Sequence, residues 1–226
     1  MYKVFKRTGD IVLSLAAIII LIPFFIPVAI LLLLTAEHKL FYVQKRIGYK
    51  NKPFYIWKFA TMLKNSPNLG TGSLTLRNDW RVTSVGKLLR KTKFNEVPQV
   101  FNILMGDMSV IGPRPLMVVD FQKYPEDIQE IIYNVKPGIT GIASVIFRDE
   151  EKYLSGADMD PHEFDRKYIA PYKGQLEVWY QRNISFMTDL KIFFYTIFVV
   201  LNPGREFHFS GFKGLPAKPS FFTTRS

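Results

Sequence analysis

The chain opens on an apolar block and becomes patterned only afterwards. Residues 11–34, IVLSLAAIIILIPFFIPVAILLLL, carry no charge and form a run long enough to span a bilayer, which takes about 20 residues. The run is longer than the apolar part of a signal peptide, and no small-residue cleavage site follows it. Residues 41–44 and 54–59 are aromatic and β-branched, with turn chemistry across 48–53, which predicts a hairpin. The polar stretch 64–79, rich in Gly, Ser and Asn, predicts a mobile loop. Helices are predicted over about 80–91 and 96–105, the second stopped by Gly106, with a rigid loop across 106–116. A helix near 125–134, a turn across 136–141 and a mainly helical stretch 158–182 follow. Residues 189–201 predict an apolar helix too short to span, suited to an interface or a core, and the tail after Pro203 reads as irregular.

Two features bear on how the N-terminal run meets a membrane. Pro23 and Pro27 fall inside it; each removes a backbone donor, which predicts a sharp bend. Lys3, Lys6 and Arg7 precede the run, and Lys39, Lys45, Arg46 and Lys50 follow it, so the positive-inside rule draws both ends to the cytoplasmic side. A helix that enters, breaks at the prolines and returns meets both conditions; a kinked span is the alternative. Asp10, just ahead of the run, is expected to cap the helix or to bind a cation at the interface. The fold class that follows is α+β: a helix-rich membrane-associated domain with a small antiparallel sheet, divided into a re-entrant anchor over 1–38 and a cytoplasmic catalytic domain over 39–226.

Charge and composition narrow the partners. Thirty Lys and Arg against 19 Asp and Glu leave a net charge of +11, which favours anionic ligands. With no cysteine, disulfides, thiolate catalysis and Cys-based zinc sites are excluded, and His38, His162 and His208 have no metal-ligand spacing. The stretch YVQKRIGYKNKPFYIWKF alternates basic and aromatic residues, but no nucleic-acid-binding motif accompanies it, so proximity to an anionic membrane is preferred to nucleic-acid binding.

Several short motifs carry candidate chemistry. In GDMSVIGPRP two prolines flank Arg114; the segment is either a stiff connector or a preset backbone that aims a guanidinium at phosphate oxygens. Arg90 is a second candidate phosphate ligand. KPGITG reads first as an ordinary turn, with a phosphate-cradling loop as the alternative. The run Arg148-Asp149-Glu150-Glu151 reads as a solvated surface. In KFNEVPQ, Asn95 stands beside Glu96 at the expected start of a helix and reads as its N-cap, with Pro98 tolerated in the first turn.

Taken together these motifs resemble the bacterial sugar transferase family, the monotopic phosphoglycosyl transferases that initiate surface-glycan assembly. The resemblance runs from MYKVFKRTGD through the proline-containing run, Gln44-Lys45-Arg46-Ile47-Gly48, Lys58-Phe59-Ala60-Thr61-Met62, EVPQVFNILMGDMSVIGPRP and KPGITG to SFMTDLKI. It implies transfer of a phosphosugar from a UDP-sugar to undecaprenyl phosphate at the cytoplasmic face of the bacterial inner membrane, with Mg2+ required; a homodimer is left open. It also implies a catalytic Asp-Glu pair, whose Asp forms a covalent phosphosugar intermediate and whose Glu holds magnesium. That pair falls on Asn95 and Glu96, with Lys58, Arg90 and Arg114 around the phosphates. Asn95 departs from the pattern, since a carboxamide is a poor nucleophile. Ala60 departs as well, where family members often carry a basic or polar residue. The resemblance therefore allows an enzyme that uses Glu96 or transfers directly, and, as the alternative, a catalytically silent homologue that binds nucleotide sugar or polyprenyl phosphate.

Overall fold

The run 11–34 carries no charge and no glycine, which favours one long helix, and α1 (Tyr2–Leu34) runs uninterrupted through Pro23 and Pro27, without the break expected there. Each proline deletes one amide donor, so the carbonyls of Ile19 and Pro23 lose their helical partners. At 1.5 Å per residue α1 is about 50 Å along its axis. It is the one helix among the described residues long and apolar enough to cross a membrane. The computed structural model describes residues 2–35, 37–202, 209 and 211–219, and most of the tail expected to be irregular falls outside them.

The expected hairpin forms from β1 (Phe41–Ile47) and β2 (Pro53–Phe59), antiparallel, with Phe41 opposite Phe59 and Ile47 opposite Pro53. Residues 64–79 form the expected loop, with one short turn, Ser66–Asn68, and its backbone gathers around one side chain. Arg81, only 1% exposed, is its centre. Its guanidinium donates to the carbonyls of Ser66, Leu69 and Gly72 at 2.8–2.9 Å and to that of Leu74, and it pairs with Asp79. The next helix, α2 (Ser84–Lys91), starts four residues later than the sequence suggests, because Thr83 caps it by accepting from the Gly86 amide at 3.0 Å.

The structure also corrects the start of the following helix. Phe94–Glu96 is a separate 3₁₀ turn entered through Lys93, whose φ of 59° is left-handed. Helix α3 (Gln99–Met105) begins only after Pro98, so Asn95 is not its N-cap; Gly106 ends it at φ 93°, as expected. Residues 106–116 are not simply a loop, nor is KPGITG a turn. Strands β3 (Ser109–Ile111) and β4 (Gly138–Thr140) pair in parallel across them. Between these strands lie α4 (Val118–Phe121) and α5 (Glu126–Ile132). After them come α6 (Ile142–Ile146), α7 (Glu150–Ser155) and α8 (Pro161–Phe164), then the π-helical turn Asp165–Ile169. Helices α9 (Ala170–Arg182) and α10 (Phe186–Leu201) close the described body. The main core joins α6, α9 and α10 through Ile142, Leu176 and Ile192, all fully buried. The opposite side of α10 leaves Phe186, Met187, Phe194, Phe198 and Leu201 exposed.

Both ends of α1 return to this body. Near its start Arg7 donates to the carbonyls of Ile103 and Leu104 at the end of α3, and Tyr2 and Lys6 both bind Asp189 of α10. Asp10 is neither a cap nor an interfacial cation site. It is buried in the middle of a helix turn and accepts from the Ser109 hydroxyl at 3.0 Å and the Val110 amide at 2.9 Å. Near the other end Phe25 and Leu32 pack with Phe41, Phe59 and Leu89.

The β3–β4 crossing depends on glycine. A Cβ at Gly138 would lie 2.2 Å from the Gly112 amide nitrogen, and one at Gly112 would lie 2.4 Å from the Lys136 carbonyl oxygen, so backbone meets backbone with no room for a side chain. Gly138→Ala is expected to cost about 2–3 kcal/mol by forcing the strands apart. Gly9→Ala, where nothing lies within 4 Å, should be neutral or stabilising. Denaturant midpoints of the two variants in one detergent provide the comparison.

Candidate functional site

The site is built on the parallel crossing and the hairpin edge. Asn102 of α3, fully buried, bridges to β2: its carbonyl oxygen accepts from the Trp57 amide at 3.1 Å, and its amide donates to the Tyr55 carbonyl at 2.8 Å. This docking sets Lys58, the next residue of β2, beside the 3₁₀ turn that carries Glu96. From the other side, the Pro113-Arg114-Pro115 segment leaves β3 and is clamped by Tyr133. The Tyr133 hydroxyl donates to the Arg114 carbonyl at 2.8 Å and accepts from the Leu116 amide at 2.9 Å.

Glu96 is where these elements converge. Lys58 Nζ lies 3.3 Å from its Oε1, and the Arg114 guanidinium forks across both its oxygens, with Nη1 at 3.3 Å from Oε2. Burial would raise the Glu96 carboxyl, but Arg114 and Lys58 overcome it and hold the group well below the usual carboxylate range. Burial pushes the Lys58 ammonium down to about 7 against the pull of Glu96, and the like charges of Arg114 and Arg46 add to the shift. Arg114 keeps 41% of its side chain exposed, so its fork can also reach a ligand.

Three of the residues singled out in the sequence therefore meet directly: Lys58, Glu96 and Arg114. Arg90 does not join them. It lines the same cavity but pairs with Glu151 at 3.4 Å. The acidic run is accordingly not only a solvated surface, since Glu150 also pairs, with Lys173 at 2.6 Å, and faces the cavity. Asn95 is 6% exposed, and its Oδ1 has no hydrogen-bond partner in the protein. Sequence reasoning assigned no place in the site to Arg46 or Tyr133. Arg46 donates to the Pro115 carbonyl at 3.4 Å, lies close enough to Arg114 to feel its charge, and is pushed down to about 10, chiefly by burial. Its place in the Gln44–Gly48 motif was the available signal; Tyr133 had none.

Arg46, Lys58, Arg90, Asn95, Glu96 and Arg114 line one cavity of about 2150 Å³. That exceeds the roughly 300–1,000 Å³ of a pocket for one small ligand. Among the described residues no group of three or more His, Asp or Glu could hold a metal ion. What the site offers is one carboxylate, Glu96, and one unpartnered amide oxygen, Asn95 Oδ1. Such a pair fits Mg2+ when phosphate oxygens complete its shell, the usual arrangement for this ion.

Comparison with known proteins gives a consistent picture. A family model described as bacterial sugar transferase matches residues 1–203. The UDP-glucose:undecaprenyl-phosphate glucose-1-phosphate transferase of Klebsiella pneumoniae is 37% identical over 200 residues, 86% of this chain and 40% of that protein. The UDP-N-acetylgalactosamine-undecaprenyl-phosphate N-acetylgalactosaminephosphotransferase of Aeromonas hydrophila is 34% identical over 202 residues, 88% of this chain and 44% of that protein. The exopolysaccharide production protein PSS of Rhizobium leguminosarum bv. phaseoli is 32% identical over 209 residues, 90% of this chain and 98% of its own length. The chain thus spans about two fifths of the first two relatives and nearly all of the third.

The lowered Lys58 pKa has a testable consequence. Lys58 is charged below about pH 7 and neutral above it, and a bound anion would favour the charged form. Affinity for inorganic pyrophosphate is expected to be greatest below pH 7. It should then fall by up to about tenfold per pH unit as the pH rises. Lys58→Arg, which stays charged, should flatten this contribution; calorimetric titration across pH 6–9 measures both.

Proposed function

We propose that this chain, which belongs to the bacterial sugar transferase family, moves a phosphosugar from a UDP-sugar to undecaprenyl phosphate at the bacterial inner membrane. The observation that carries the reading is the Glu96 carboxylate held by Lys58 and Arg114 in a large cavity further lined by Arg46 and Arg90. Cations gathered in one cavity suit a diphosphate and a monophosphate brought together, and the volume suits two substrates. Relatives named as undecaprenyl-phosphate transferases support the same assignment.

In the reaction a phosphate oxygen of undecaprenyl phosphate attacks the β-phosphorus of the donor. The bond from that phosphorus to the bridging oxygen breaks, and UMP leaves with the bridging electrons. Lys58 and Arg114 neutralise the phosphate oxygens as charge shifts toward the leaving group. Magnesium, held by Glu96 with Asn95 Oδ1 as a second oxygen, would supply further charge neutralisation. Asn95 has no carboxylate with which to form a covalent intermediate, and Arg114 and Lys58 hold the Glu96 carboxylate well below its usual range, which makes it a weaker nucleophile. Direct transfer from donor to acceptor fits this arrangement better than attack by Glu96.

The membrane arrangement belongs to the same proposal. Residues 1–38 form a re-entrant anchor and residues 39–226 a catalytic domain on the cytoplasmic face. Support comes from the two prolines inside α1 and from the return of both its ends to one body. The exposed apolar side of α10 would rest at the bilayer surface.

Asn95 favours a second reading, a chain that binds these substrates without turnover. The test is UMP release from a panel of UDP-sugars by the chain in nanodiscs with magnesium and undecaprenyl phosphate. Release with one sugar is expected, abolished in Glu96→Gln, with no phosphosugar adduct trapped on the protein. Release only after Asn95→Asp would establish the silent reading instead. No release from either form would count against the enzyme.

A further inference from the structure

Six buried side-chain polar atoms among the described residues have no hydrogen-bond partner in the protein. Five belong to residues that line the large cavity: Arg46 Nε, Asn95 Oδ1, Ser144 Oγ, Arg148 Nη1 and Glu177 Oε2. Buried polar groups are almost always partnered, so this concentration calls for a cause. Arg46 and Asn95 belong to the surroundings of Glu96. Ser144, Arg148 and Glu177 do not. They lie on α6, on the turn after it and on α9, and α6 packs against α9.

Glu177 is 3% exposed. Its carboxyl lies at the backbone N–H of Arg114, whereas Glu96 takes the guanidinium of the same residue. The two carboxyls thus approach opposite ends of Arg114. Their charge states differ as well. Burial pushes Glu177 up to about 8, with Lys173 opposing, so it is mainly protonated at neutral pH and can donate as well as accept. The charges around it are already matched: Lys173 pairs with Glu150 and lies 5.2 Å from the Phe147 ring, and Lys123 lies between Asp120 and Asp165. What is unmatched here is hydrogen-bonding capacity, neutral on Glu177 and Ser144 and cationic on Arg148. A carboxylic acid, a hydroxyl and a guanidinium N–H form a mixed set of donors and acceptors. Such a set suits a ligand whose own groups both donate and accept, as sugar hydroxyls do. Glu177, within this set, lies against the residue that, in the transferase reading, holds the phosphate to which the sugar is joined.

We propose that Glu177, Ser144 and Arg148 form the subsite that receives the sugar ring of the donor and reads its hydroxyl or acylamino substituents. The proposal rests on the transferase reading above and makes these residues determinants of which sugar is used.

The test separates the sugar from the nucleotide. Binding of UDP and of UDP-glucose, UDP-galactose and their N-acetylamino counterparts is measured by calorimetry on the full chain in nanodiscs, with magnesium and without acceptor. In the parent, one UDP-sugar is expected to bind more tightly than UDP. In Ser144→Ala and in Glu177→Gln that advantage should shrink about tenfold, the worth of a hydrogen bond of about 1.4 kcal/mol, while UDP affinity stays within about twofold. Equal losses for UDP and UDP-sugar would overturn the subsite, because Glu177 would then act only through Arg114. Unchanged discrimination in both variants would overturn it too. Ser144→Ala removes a single oxygen and keeps the test decisive if Glu177→Gln does not fold. A parent that binds UDP but no UDP-sugar more tightly would overturn the subsite alone; a parent that binds neither would overturn the transferase reading with it.

Discussion

Glu96 is a carboxylate held out of water, and the architecture around it can be understood as the means of compensating that one charge. Removing a carboxylate from solvent costs several kcal/mol unless cations and hydrogen bonds replace the water. Lys58 and Arg114 supply the replacement from two distant parts of the chain. Neither arrives by its own flexibility. Lys58 is placed by the hairpin edge that Asn102 clamps, and Arg114 by the segment that Tyr133 clamps. The segment in turn starts from β3, which can lie against β4 only because Gly112 and Gly138 bring backbone onto backbone. A methyl group added at the crossing would therefore be felt at the charge cluster.

The same economy holds where α1 joins the body. Its apolar surface gives no direction to docking, because most of it touches nothing in the protein. Direction comes from a few polar contacts near its start: Asp10 to Ser109 and Val110, Arg7 to the end of α3, and Tyr2 and Lys6 to Asp189. Asp189 also accepts from Tyr180 at 2.7 Å, so one carboxylate joins α1, α9 and α10. Asp10 reaches β3 itself. The long apolar helix is thus fastened to the strand that leads to Arg114 by side-chain contacts rather than by a linker.

Asn95 illustrates how little of a site's chemistry is visible to the fold. Asn and Asp differ by one atom and have similar turn preferences, so an amide here leaves the 3₁₀ turn and the placement of Glu96 intact. What changes is charge. A second carboxylate would sit next to Glu96 and draw on the same cations, whereas with the amide Glu96 is the one carboxylate that both Arg114 and Lys58 pair with. The cavity consequently keeps a net positive lining, suited to binding phosphates whether or not a covalent step is available.

Strong periodicities and special backbone angles were legible from the residues alone. The apolar run of α1, the alternating aromatics of the hairpin and the left-handed stop at Gly106 are local properties, and the local signal was sufficient. Lys58, Glu96 and Arg114 were legible as candidate site residues through the family resemblance, and they do meet. The three-residue strands β3 and β4 were not legible, because each is stabilised by the other across 29 residues of sequence and carries no pattern of its own. Arg81 looked like any surface arginine until the carbonyls of its loop closed around it. The start of α3 was misplaced because Asn-Glu-Val-Pro satisfies the local rules for a cap and for a 3₁₀ turn equally well, and the choice is made by the contacts of Glu96. The sequence by itself determined the long apolar helix, the hairpin and which residue types are available for phosphate chemistry, since those follow from propensity and charge. Only the tertiary structure decided which cations reach Glu96 and which residues lining the cavity keep buried polar atoms without partners, because both depend on segments that meet only when the chain is folded.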